Sequence, residues 1–312
     1  MTEEKTVYAL GMFDGVHIGH GELLRACGEI AGETGCLPGA VTFATHPDAL
    51  VLGQAPGLIN TPQDRQMLME ELYGIRRVVT LPFDGRMREM PYRTFLAMLR
   101  HRYQAAGFVC GHDFRFGRRG EGTAALLQQA CREEGIPCRV IPEVKLDGVT
   151  VSSTYIRTLL ESGQMERAAD FLGHAHVFSG IVVPGRHLGG RLGFPTANLV
   201  PPAGLAGLKR GVYACLARTV EGVFPAVTNV GVRPTVDGTG ETVEAWLLDY
   251  DSQLYGKSLT LEFYKFLRPE EKFPSLEALK EEILKNARQT REFFQEKGKF
   301  SFTFGKTHDK IC

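Results

Sequence analysis

The 312-residue sequence predicts two architectures in one chain: an N-terminal α/β half built on a doubly wound parallel sheet, and a C-terminal small antiparallel β-barrel with a terminal helix. Three observations predict this. Up to about Val144, short apolar runs alternate with amphipathic ones, the texture of strand–helix–strand units. Beyond about Phe178, short alternating runs succeed one another between turns containing Gly and Pro, as in a barrel or sandwich. The length suits two domains, and a composition 43% hydrophobic supports a core in each.

In the first half, strands are predicted at 7–10, 40–44, 77–81, 108–110 and 139–141, and helices at 22–33, 62–73, 92–103 and 123–134. Residues 152–173 read as two short helices, the first begun by a serine cap, ended by Gly163 and Gly173. Strands at 178–183, 211–217, 224–230, 243–250 and 259–264 follow. A helix at 276–295, with Leu276, Leu279, Ile283, Leu284, Phe293 and Phe294 as its apolar residues, is expected to pack on the barrel. The expected domains are 1–173 and 174–300, with 301–312 a loose polar tail.

Lys plus Arg equal Asp plus Glu at 36 each, which argues against a counterion-driven nucleic-acid binder and for small ligands. Seven cysteines without a C-x-x-C pair, several inside apolar runs, read as reduced and buried. The N-terminus lacks the layout of a signal peptide, and no apolar stretch approaches the roughly 18 residues of a membrane span. The expected location is the cytoplasm.

The most informative segment is Gly11-Met12-Phe13-Asp14-Gly15-Val16-His17-Ile18-Gly19-His20, at a predicted strand-to-helix turn. Its glycines allow a sharp turn and close ligand approach, and the helix that follows offers unpaired N–H groups to phosphate. His17 and His20, three residues apart, can face the same phosphates as protonated or donating imidazoles. A zinc site needs two more ligands nearby, which the cysteines do not supply. In Ser152-Ser153-Thr154-Tyr155-Ile156-Arg157, hydroxyls cap a helix and Arg157 can clamp a departing pyrophosphate with forked hydrogen bonds. Thr42-Phe43-Ala44-Thr45-His46-Pro47 follows the second strand, and Gly111-His112-Asp113-Phe114-Arg115-Phe116-Gly117 the fourth.

The first segment resembles the G-x-F-D-G-x-H-x-G-H signature of the HxGH nucleotidyltransferases. The other three resemble the I-S-S-T-x-I-R and T-F-x-x-H-P elements of the same family and the G-x-D-F-x-F-G loop of its flavin branch, which is the discriminating one. The resemblance implies adenylyl transfer to FMN, with Gly11, Phe13, Asp14, Gly15, His46, Ser152, Ser153 and Thr154 around ATP and Asp113, Phe114 and Phe116 around the flavin. It assigns chemistry to His17, His20 and Arg157.

In the second half, Pro195-Thr196-Ala197-Asn198 follows a glycine-rich stretch and resembles the P-T-A-N box of riboflavin kinases. A threonine hydroxyl and an asparagine carbonyl are hard oxygen ligands suited to Mg²⁺ with ATP, and Gly189 and Gly190 can cover the phosphates. Glu244 stands on the apolar run Val243–Leu248, where a lone carboxylate must be solvated, paired or functional, and it is the expected base for a bound alcohol. Asn229–Thr235 and Leu254-Tyr255-Gly256 fall in the same family's order. Tyr255-Gly256-Lys257-Ser258 ends like a phosphate loop, but Asp251 replaces its first glycine and a strand is predicted to follow.

Over about residues 7–294 the chain thus resembles the bacterial bifunctional riboflavin kinase/FMN adenylyltransferases, or FAD synthetases. The implied activity is phosphorylation of riboflavin to FMN by the C-terminal domain and adenylylation of FMN to FAD by the N-terminal one, with flavin a substrate and product rather than a prosthetic group. Departures from the pattern are Met12, Ala44-Thr45, Asn286 and the placement of Arg191. Retention of one activity alone, or a non-catalytic flavin-binding regulator, are the alternatives; the oligomeric state is not legible.

Overall fold

The computed structural model describes residues 4–51, 53, 55–185, 193–235, 238–296 and 298. The chain divides into two compact units, one of Met1–Arg157 with Phe171–His174, the other of Thr158–Asp170 with Ala175–Cys312.

The first unit runs β1 (Thr6–Leu10), α1 (Ile18–Thr34), β2 (Leu37–Phe43), α2 (Asp48–Val51), α3 (Pro62–Tyr73), β3 (Arg77–Leu81), α4 (Gly85–Arg88), α5 (Tyr92–Arg102) and β4 (Ala105–Gly111). A small hairpin, β5 (Arg115–Phe116) and β6 (Gly122–Thr123), precedes α6 (Ala124–Glu133) and β7 (Cys138–Ile141); β8 (Lys145–Leu146) and β9 (Val149–Thr150) form another. Five strands make one parallel sheet in the order β3-β2-β1-β4-β7. β1 is buried along its whole length because it lies at the centre, which is why its sequence is apolar without alternation. The strand order reverses at β1, so the turns after β1 and β4 flank the crevice where such sheets bind ligands.

Local chemistry sets the helix ends. α3 starts on Thr61, whose hydroxyl accepts from the Asp64 N–H at 3.0 Å, has Pro62 in its first turn, and stops at Gly74 with φ 68°. α7 (Ser153–Ser162) and α8 (Met165–Leu172) are the two short helices expected between the halves, and Gly163 and Gly173 follow them with φ 76° and 79°. The Ser152 hydroxyl caps α7, accepting from the Tyr155 N–H at 3.3 Å.

The second unit is an antiparallel six-stranded sheet of β10 (His176–Ile181), β11 (Ala197–Leu199), β12 (Gly211–Thr219), β13 (Gly222–Thr235), β14 (Gly238–Leu247) and β15 (Ser258–Arg268), in the order β10-β15-β12-β13-β14-β11. Register shifts between β12 and β15 bend the sheet. Among the described residues its two ends meet at one bridge, where the Val183 N–H donates to the Asn198 carbonyl at 2.9 Å. Ser258 opens β15, so the phosphate-loop look-alike is a turn into a strand.

The terminal helix α9 (Leu276–Glu296) packs on β12 and β13 of the barrel as expected, but not through every apolar residue expected. Leu276 and Leu284 are 57% and 42% exposed, while Asn286, Ala287 and Thr290 are buried. The face set by Leu279, Ile283, Asn286 and Thr290 recurs every three or four residues, and Leu284 lies one step off it. The six described cysteines are free, but Cys36 and Cys138 are only half-buried; Cys312 and the rest of 301–312 lie outside the described residues.

Candidate functional sites

The β1–α1 turn is wound through the left-handed region three times, at Phe13 (φ 52°), Gly15 (φ 84°) and Val16 (φ 43°). Two of these carry side chains, and such strain persists only where the surroundings over-determine it. Asp14, 1% exposed, accepts from the Ile59 N–H at 2.8 Å and pairs with the Arg157 guanidinium at 2.6 Å. The Ser153 hydroxyl donates to the Asp14 carbonyl at 2.8 Å, and His174 Nε2 meets the Gly15 carbonyl at 3.0 Å. A side chain at Gly15 would meet Ile59 and Leu172.

His17 caps α1: its Nδ1 accepts from the His20 N–H at 3.1 Å, so the neutral ring carries its proton on Nε2, where it can donate. The two imidazoles stack with centroids 3.6 Å apart and planes within 10°. Gly19 makes room, since a Cβ there would lie 3.2 Å from the His17 ring. Burial lowers the His17 pKa to about 4, with His174 adding to the effect. Burial also takes His20 well below its usual value, helped by His17 and Arg65. The pair is therefore neutral at pH 7 in the free protein, donating rather than protonated.

Beside this turn, at the carboxyl ends of β1 and β2, lies a cavity of about 580 Å³. Leu10, Gly11, Val41 and Phe43 form one side; Phe83, Met87, Phe95, Phe114 and Phe116 line it further, with Arg88, Arg115 and Arg119 among them. Phe114 and Phe116 stack at 5.5 Å and 18°. Flat apolar walls of this kind suit a planar aromatic ligand.

In the second unit, sheet register assembles the polar groups. Glu244 on β14 stands opposite Asn198 on β11 and opposite Asn229 on β13, so the three side chains share one face. Along β14, buried Val243, Ala245 and Leu247 alternate with half-buried Glu244 and Trp246. Glu244, Asn229 and Trp246 line a cavity of about 360 Å³ with Phe194, Phe273, Arg268 and the Leu279, Ile283 and Asn286 face of α9. A second cavity, about 220 Å³, is lined by Val182, Pro195, Ala197 and the segment Tyr250–Tyr255. Thr196 lines both cavities.

The Asn198 amide donates to the Thr196 carbonyl at 3.2 Å, which turns its Oδ1 the other way; that oxygen is buried without a partner among the described residues. An orphaned hard acceptor two residues along from a threonine hydroxyl has the donor chemistry that suits a Mg²⁺–nucleotide. Among the described residues no cluster of three or more His, Cys, Asp or Glu could hold a metal ion.

Two family models match the chain, FAD synthetase over residues 1–155 and riboflavin kinase over residues 172–294. The bifunctional riboflavin kinase/FMN adenylyltransferase of Escherichia coli (strain K12) is 34% identical over 295 residues, 94% of each chain. This chain belongs to that bifunctional family. The Bacillus subtilis (strain 168) member is 31% identical over 94% of this chain and 93% of its own. A crystal structure of a protein named macrolide-efflux protein, from Streptococcus pneumoniae, has the same fold, with TM-score 0.82 and 26% identity over 93% of this chain and 95% of that one. No described helix here is long and apolar enough to cross a membrane.

Within the family's pattern, the structure brings Gly11, Phe13, Asp14, Gly15, His17, His20, Ser153 and Arg157 into one turn and its supports. His46 is half-buried after β2 and its Nδ1 accepts from the Asp48 N–H at 3.2 Å. Thr154 is exposed in the first turn of α7, and Asp113 is exposed outside the cavity that Phe114 and Phe116 line. Arg157 donates from Nε to the Gly57 carbonyl and from Nη2 to Asp14, each at 2.6 Å, because a buried guanidinium must be satisfied locally. Gly189 and Gly190 lie outside the described residues. Sequence reasoning missed Trp246, Phe194, Arg268 and Arg65; the first two had a usable signal, aromatics two residues from Glu244 and Thr196.

Proposed function

We propose that the chain makes FAD from riboflavin in two ATP-dependent steps, and we assign the steps to sites as follows. The chain carries both domains of its family, and riboflavin, FMN and ATP are the small molecules that suit them. In the second unit, the 360 Å³ cavity takes the flavin and the 220 Å³ cavity the nucleotide. Thr196 on the boundary of both is the observation that carries this reading, because phosphoryl transfer requires acceptor and donor to meet at one point. Glu244 takes the proton of the riboflavin 5′-hydroxyl as its oxygen attacks the γ-phosphorus and ADP departs. Thr196 and Asn198 would hold the Mg²⁺ that accompanies ATP, which would neutralise phosphate charge when bound.

In the first unit, the isoalloxazine of FMN lies in the 580 Å³ aromatic cavity and ATP over the β1–α1 turn. The FMN phosphate oxygen attacks the α-phosphorus, an anhydride bond forms, and pyrophosphate leaves. His17 Nε2–H, His20 and the N–H groups opening α1 donate to the charge that builds on the phosphates. Arg157 acts by bracing Asp14 and the turn, with Ser152, Ser153, Thr154 and His46 completing the surroundings of the nucleotide. We place the domain boundary at 173/174 and the enzyme in the cytoplasm. Incubating the purified protein with riboflavin, Mg²⁺ and ATP and separating the flavins tests the reading: FMN should appear first and FAD after it, and FMN alone as end product would sink the assignment of the first unit.

A further inference from the structure

Arg65 heads the largest side chains that are fully buried among the described residues, at 1% exposure. It rises from the first turn of α3 and spends its donors on three uncharged oxygens. Nη1 reaches the Met12 carbonyl and, at 3.3 Å, the Thr42 hydroxyl; Nη2 reaches the Phe43 carbonyl at 3.4 Å. Nε is buried with no partner among the described residues. Asp14 favours its charge from a distance, but that carboxylate is already paired directly with Arg157. Asp64, its neighbour in sequence, accepts from the Thr61 hydroxyl at 2.8 Å.

Two facts about this arrangement call for an explanation beyond packing. The residues it joins are the turn that carries His17 and His20 and the end of β2 that leads to His46, so the guanidinium reinforces the direct bond from the Thr42 hydroxyl to the Met12 carbonyl at 2.9 Å and extends it to Phe43. A buried charge without an ion pair is also unfavourable, and an apolar side chain of similar size would fill the space at lower cost. A polyanion arriving at the turn supplies the missing counter-charge.

We propose that Arg65 is a positioning residue for adenylyl transfer, registering the histidine turn against the end of β2 and holding a buried positive charge that the phosphates of ATP complete. This rests on the assignment of the first unit to FMN adenylylation. It acts through others: its charge and the stacked His17 ring both favour neutral His20, while His174 faces His17 from the segment after α8.

The test uses the full chain with R65M and R65K, and measures FAD formation from FMN, FMN formation from riboflavin, the KM for ATP and the pH profile of kcat/KM for FAD formation. In R65M, kcat/KM for ATP in FAD formation should fall on the order of 10²-fold, as for a displaced reacting geometry, with riboflavin phosphorylation unchanged. Its acid limb should move to higher pH, because removing a positive charge lets His20 protonate more readily. R65K should keep the acid limb of the wild type while remaining slow, since one ammonium cannot span the three oxygens. If R65M does not fold, R65K decides alone: wild-type rate, or an acid limb displaced to higher pH, overturns the proposal. So does R65M with wild-type kcat/KM, or an equal loss of both activities in both variants, which marks a structural staple. Wild-type protein that makes no FAD from FMN overturns the adenylylation reading itself, whereas unaltered variants overturn only the role of Arg65.

Discussion

The two sites are built by opposite means. In the first unit the chemistry sits on a strained turn, with three left-handed residues in four and two neutral imidazoles pressed together. Distant segments hold it: Ile59, Arg65, Ser153, Arg157 and His174 each bond to its backbone or to Asp14. In the second unit Glu244 and the two asparagines take their places from antiparallel register, with no left-handed residue among them. A loop site depends on tertiary braces, whereas a strand site inherits its geometry from backbone pairing. Damage to a brace should therefore harm the first site through stability, and damage to the second should be chemical only.

The largest effect tests the second half of that contrast. Glu244→Gln keeps size and leaves the ladder intact, so riboflavin phosphorylation should fall by roughly 10²–10⁴ with melting unchanged. Added FMN should still become FAD at the normal rate, and near-normal phosphorylation would make the carboxylate a structural one.

Next comes the brace. Asp14→Ala strands the buried Arg157 guanidinium, and removing one partner of a buried ion pair costs about 3–5 kcal/mol. Thermal unfolding should show the first unit melting early while riboflavin phosphorylation survives; an unmoved transition would mean that the turn is held without Asp14.

Replacing His17 or His20 by Ala should reduce FAD formation on the order of 10²–10³ and spare FMN formation. His17 carries a structural share as the cap of α1, so H17A should also lower stability, whereas H20A should not. Equal melting of the two variants would remove the cap from the account.

The smallest expected effect is a pH dependence. Folded His17 has a pKa of about 4, below the ordinary value near 6.5, so between those values the unfolded chain binds more protons. Stability of the first unit should therefore be full above about pH 6.5, fall as pH drops towards 4, and level off below, a change of about 3 kcal/mol. Denaturant titrations across that range, with H17N as comparison, check it: the variant should lose this part of the slope.

Much of the molecule is written locally. The alternation of apolar runs, the glycines that stop α3, α7 and α8, and the serine and threonine caps all act over a few residues, and they place the parallel sheet, the barrel and the histidine turn in the sequence itself. Glu244 was legible for the same reason, as a charge interrupting an apolar strand.

What the sequence could not decide is where charged side chains spend their donors. Arg157 reads as a clamp and Arg65 does not stand out at all, because guanidinium partners come from Gly57, Asp14, Met12 and Phe43, segments joined only when the chain has packed. The neutrality of the histidines belongs to the same class, since burial sets it. So does the place of Thr196 between two cavities, because β11, too short to be read as a strand, takes its position from its partner β14. Periodicity and turn chemistry are properties of neighbours in sequence, whereas desolvation and pairing depend on neighbours in space.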